Sequence, residues 1–193
     1  SFGNSGMIAL STGESLDQGH GGDIEITVGK NHYRDGGDIL LRAGLTEADA
    51  SVGGKIVIAA GTGASTSDGD GGDGGPLTMI GGRALGQLDI KDDGGRIEAY
   101  GGTAAAGTGG LLDFKSGYGF GSSSGIVKIA SANAGLAGVS GWMRLQTGTS
   151  SAGNSGQIQV LTGNAAGGRS GHIEVGVGTG DSGNGAEVTI YAG

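Results

Sequence analysis

Cysteine is absent from this 193-residue chain, which excludes both a disulfide frame and a thiolate metal site. Any stability outside a reducing compartment would have to come from repetitive hydrogen bonding. Proline occurs once against 49 glycines, and that excludes collagen, which needs glycine at every third position together with proline. Aromatic residues make up 4% of the chain, so no large aromatic-filled core is available. Basic residues are also few. Eleven Lys and Arg against nineteen Asp and Glu leave a net charge of -8, with no basic cluster on which a nucleic-acid backbone would dock. No apolar run approaches the length of a membrane span.

What the chain does have is a repeat. A small pair, usually Gly-Gly or Ser-Gly, is followed by one variable residue and then by apolar-x-apolar-x-small-Gly. It reads Ile24-Glu25-Ile26-Thr27-Val28-Gly29, then Ile39-Leu40-Leu41-Arg42-Ala43-Gly44, then Ile56-Val57-Ile58-Ala59-Ala60-Gly61. The phrase begins at Ile8 and returns at Leu77, Ile97, Leu112, Val127, Met143, Ile158, Ile173 and Val188. Its steps are 15 to 17 residues except across 56–97, where two of them lengthen to 21 and 20. A regular pattern of this kind argues against plain disorder and is the signature of stacked-repeat folds.

Within the phrase the apolar residues alternate with period two, which places Ile24, Ile26 and Val28 on one side and Glu25 and Thr27 on the other. The pattern predicts an all-β protein, a parallel β-solenoid of about twelve flattened coils with 15–17 residues per coil and an irregular region at 61–96. Leu88-Asp89-Ile90 reads as an additional strand-like piece within that region. A lone apolar or small residue eight or nine places after the phrase start, as at Leu16, Tyr33, Ala105, Phe120, Leu136, Ala152 and Ala166, is expected to point inward from the return side of each coil. Corner glycines would supply positive φ and close approach. The competing arrangement is an antiparallel sandwich with one strand per unit, but near-identical steps that stack in register favour the solenoid. The whole of 1–193 then reads as a single repeat domain and as a segment of a longer array.

The phrase Ser155-Gly156-Gln157-Ile158-Gln159-Val160-Leu161-Thr162-Gly163 resembles Gly/Ser-rich tandem repeats in surface proteins of diatoms and related algae. It is also similar to repeats in phage tail-fibre proteins. The resemblance implies a structural role in an extracellular location or at a cell or virion surface, and it carries no catalytic motif onto this chain.

Four positions stand out for self-association. Leu40, Val57, Ala59 and Ile80 fall where other repeats place charge, so an apolar stripe is expected on the outside, either as a contact surface or as a face that the long 62–75 turn folds back over. The acidic run Asp68-Gly69-Asp70-Gly71-Gly72-Asp73 makes Asp68, Asp70 and Asp73 candidate calcium ligands, and calcium is the one cofactor that the sequence suggests. Its spacing fits neither an EF-hand loop nor the Gly-Gly-x-Gly-x-Asp nonapeptide, and a solvated acidic turn is the simpler reading. Opposite charges at Asp113 and Lys128, on neighbouring repeats, suggest cross-strand pairing. No His, Ser and carboxylate set recurs at one level, so the chain reads as non-enzymatic. Expected partners are further copies or flanking repeats, with glycans as the alternative. Tyr100, Tyr118, Trp142 and Tyr191 are the aromatics that a glycan surface would use.

Overall fold

In six repeats the apolar phrase is followed by a turn at the same distance. In the computed structural model, which describes residues 3–16, 19–86, 91–136 and 138–192, the chain bends at 32–34, 105–107, 120–122, 151–153, 166–168 and 181–184. These bends begin eight residues after Ile24, Ile97, Leu112, Met143, Ile158 and Ile173. The chain divides into two units, Ser1–Tyr100 and Gly101–Gly193, and both contain the phrase-and-turn pattern.

The two-residue alternation is visible in the side-chain pairs that flank the phrase starts. Arg96 and Glu98 pair at 3.4 Å on either side of Ile97, and Asp113 and Lys115 pair at 2.6 Å just after Leu112. The Thr189 hydroxyl donates to the Glu187 carboxylate at 3.3 Å across Val188. Contacts between residues i and i+2 need both side chains on one side of the backbone, as in an extended segment.

The expected all-β parallel solenoid does not form: among the described residues there is no helix and no strand. A strand exists only where extended segments exchange hydrogen bonds along a ladder. Here the backbone bonds fall elsewhere, at the mouths of the turns. Gly54 N–H donates to the Gly44 carbonyl at 2.8 Å, Gly75 to Gly61 at 2.9 Å, Gly95 to Gly82 at 2.8 Å, Gly110 to Gly102 at 2.8 Å and Gly125 to Gly117 at 3.0 Å. Each bond joins the glycine ending one phrase to the glycine that precedes the next. It closes a neck around one turn, whereas a solenoid would bond equivalent positions of stacked coils.

The inward return side is also absent. Leu16, Tyr33, Phe120 and Leu136 are exposed, and Tyr33, Ala105, Phe120, Ala152 and Ala166 lie within the bends. No described residue is buried, and Gly63, Gly81, Gly119 and Thr147 alone among them are half-buried. The chain exposes 20093 Å². A compact chain of this size would expose roughly 8,000 Å² and a fully extended one roughly 27,000 Å². One bulky row facing alanine and glycine offers too little apolar burial to offset the entropy of ordering a coil. The additional piece expected at Leu88-Asp89-Ile90 lies outside the described residues.

Glycine serves close approach more than unusual torsion. Among the described residues positive φ is confined to Gly153, Gly167 and Gly183, each in a bend of the second unit, and to Ala50 at 53° in the first. At Gly81 and Gly101 a Cβ would run into the carbonyl oxygens of Gly95 and Gly110, so those necks close only around a bare backbone.

Candidate functional site

The stripe residues all lie in the first unit and are all exposed: Leu40 at 68%, Val57 at 70%, Ile80 at 84%, and Ala59 beside them in its phrase. Their phrases are apolar on the opposite side too. Ile39, Leu41, Ile56 and Ile58, expected to line a core, are open to solvent. The stripe is therefore half of a two-sided apolar region, and sequence reasoning identified one side as surface while assigning the other to an interior.

Asp68, Asp70 and Asp73 occupy a turn that closes twice. Gly75 bonds Gly61 at the neck, and inside it Gly72 N–H donates to the Ser65 carbonyl at 3.4 Å. Ser65 and Ser67 hydroxyl oxygens accept the amides of Ser67 and Gly69, both at 3.4 Å, which sets the bend at 68–70. The three carboxylates are exposed, and among the described residues no group of three His, Asp or Glu side chains converges as a cation would require.

Charge pairing follows the chain locally. Asp113 is paired with Lys115, two residues away, instead of with Lys128 on the next repeat. His172 Nε2 lies 3.9 Å from Glu174 across Ile173, and His32 and Tyr33 are ring neighbours at 6.3 Å in an exposed turn. That turn is organised by Asn31, whose Oδ1 accepts the amides of Tyr33 and Arg34 at 3.0 and 3.3 Å. This is the Asx geometry that asparagine favours locally. Tyr100, Tyr118, Trp142 and Tyr191 are exposed.

One feature escaped the sequence reading. Thr179, Ser182 and Asn184, with the backbone of Gly178, Gly180, Gly183, Gly185 and Ala186, line a shallow open concavity around the bend at 181–184. Its signal was the alternation of glycine with polar residues over 178–185, and Gly183, with φ of 75°, makes the turn possible. The concavity has no described titratable side chain in its lining.

No protein-family model, curated protein or solved structure matches the chain. Its functional reading accordingly rests on its own surface. Among the described residues no helix is long and apolar enough to cross a membrane.

Proposed function

We propose that this chain is a non-enzymatic structural protein that forms or decorates an extracellular fibre, filament or surface coat by associating with further copies or with flanking repeats. The observation that carries this reading is the exposure of apolar side chains on both sides of successive phrases, from Ile39, Leu40 and Leu41 to Ile56, Val57 and Ile58. Apolar surface of that extent is not stable in water alone, and exposed apolar patches larger than a few hundred Å² mark contact surfaces. The likeness of the Ser155–Gly163 phrase to algal surface repeats and phage tail-fibre repeats supports the same role and the same extracellular or surface setting. In this reading Leu40, Val57, Ala59 and Ile80 form one lateral contact.

Electron microscopy of the full chain at near-neutral pH, with and without a calcium chelator, tests the proposal. Continuous filaments or sheets support it, and isolated chains at every concentration reject it. Loss of assembly on chelation would assign calcium to the turn holding Asp68, Asp70 and Asp73. The exposed aromatics Tyr100, Tyr118, Trp142 and Tyr191 favour one second reading, a binding module for glycan or mineral surfaces. Glycan titration followed by light scattering separates the two, because a binding module saturates without growth in particle size.

A further inference from the structure

From Ile24 to Val188 the residues that begin the phrases are 50–58% exposed, the large apolar residues two places on range from 63% at Val160 to 91% at Ile190, and Ile8 stands apart at 98%. Ile24, Ile56 and Ile158, which begin their phrases, are 51%, 53% and 53% exposed. Two places on, Ile26, Ile58 and Val160 are 65%, 64% and 63% exposed. The same apolar pair is therefore open in the phrases of each unit taken by itself.

The amount of surface decides what kind of partner fits. The chain's 20093 Å² exceeds the surface of a compact chain of its size by roughly 12,000 Å². A standard interface covers about 800 Å² on each side, so a globular partner on one patch would leave more than about nine-tenths of that excess in water. The occupant has to engage repeat after repeat at the same spacing, and a second copy of this chain carries that spacing. Charge permits the contact. Arg96 with Glu98 and Asp113 with Lys115 are paired within their own chain at positions of the other parity, so mating the apolar faces desolvates none of them.

We infer that the face formed by the first and third residues of the phrases is covered by the same face of a second copy, so that the two chains bury that face together. The inference rests on the self-association reading and specifies its partner and its face. Each copy carries -8, so the chains repel at long range and their association strengthens with salt.

Sedimentation velocity over a dilution series of the full chain provides the test, using three variants. The first places Lys at Ile26, Ile58, Ile129 and Val160 together, the second places Glu at the same four positions, and the third combines Leu40→Lys with Val57→Lys on the other side. The wild type is expected to associate. The four-site Lys and Glu variants should each remain monomeric to concentrations at least about a hundredfold above the wild-type midpoint, given the apolar burial that they lose. An equimolar mixture of those two variants should associate again, and that rescue should fade at high salt. Rescue by mixing also shows that the variants retain the ability to pair. If the four-site Lys variant keeps the wild-type midpoint while the Leu40→Lys, Val57→Lys variant is monomeric, the face is wrong and self-association stands. Failure of the mixture to associate would overturn like-face pairing. A wild-type chain that stays monomeric at every concentration overturns both readings.

Discussion

The stretch 43–125 and the stretch 126–192 carry the same phrase but reverse the chain differently. In 43–125 the necks close by backbone hydrogen bonds between glycines, from Gly44 with Gly54 to Gly117 with Gly125. In 126–192 no such bond is present among the described residues, and the bends at 151–153, 166–168 and 181–184 contain a glycine at positive φ. The residue before the accepting glycine differs between the two stretches. It is Ala43, Ala60, Gly81, Gly101 or Ser116 at the closed necks, and Thr147 or Thr162 at the open ones. At the open necks the threonine side chain occupies the gap: a Cβ placed on Gly156 would lie 3.4 Å from Thr147 Cγ2, and one on Gly171 would lie 3.7 Å from Thr162 Cγ2. Ser131 is followed by Ala132 where the closed necks have glycine, and its neck is open as well. The early repeats obey the same rule. Val28 Cγ1 would lie 2.8 Å from a Cβ on Gly37, and Thr12 bonds the Gly22 carbonyl through its hydroxyl, at 3.1 Å, with no backbone bond at that neck. Closed necks thus follow Ala, Gly or Ser, whereas the β-branched Thr12, Val28, Thr147 and Thr162 stand at open ones.

Substitutions that exchange the two kinds of neck would break or sharpen this comparison. The largest effect is expected from Gly81→Val, whose side chain collides with the Gly95 carbonyl and removes the Gly95 to Gly82 bond. Amide exchange at Gly95 should accelerate roughly tenfold, since both a hydrogen bond and backbone clearance are lost. Unchanged exchange there would mean that the neck is not held as described. Next comes Gly167→Ala in the bend with φ of 78°, which should cost about 1 kcal/mol by forcing a side chain into the left-handed region. The measurement is the loss of nuclear Overhauser contacts across 166–168, and a Gly168→Ala control should spare them.

A change of similar size is expected from Ala43→Val, which imports the obstruction of Val28 into the Gly44 neck. Gly54 amide exchange should rise by about fivefold, the factor for a net hydrogen bond of about 1 kcal/mol. The smallest is the gain from Thr162→Ala. Removing the prop should let Gly171 bond Gly163 and slow its amide exchange by about threefold, a fraction of one net hydrogen bond. If Gly171 is unaffected, side-chain bulk is not what separates the two regions.

The sequence made some of this legible and hid the rest. Ile24 through Val28 announced their alternation, and pairs such as Asp113 with Lys115 obey it. The lone apolar residues Tyr33 and Phe120 were located correctly along the repeat but given the wrong direction, because a turn apex and an inward return strand use similar short, glycine-flanked composition. Asp68, Asp70 and Asp73 were visible as an acidic run. The second closure of their turn, from Gly72 to Ser65, is encoded by no motif. For the stripe, Leu40 and Val57 were identified as exposed, while Ile39 and Ile56 were assigned to a core that the described residues do not contain.

What the sequence by itself determined is local: the phrase, its two-sided alternation and the placing of the turns. Those follow from side-chain periodicity and from the torsions and small size of glycine and its neighbours, which act over a few residues. The tertiary structure decided which backbones meet, that bonds form at the necks and not along the phrases, and that the apolar rows stay open. Those outcomes depend on whether distant segments approach closely enough, and bury enough apolar surface, to offset the entropy of ordering them. A periodic pattern specifies which side chains share a side, but it does not supply the second layer that would cover them.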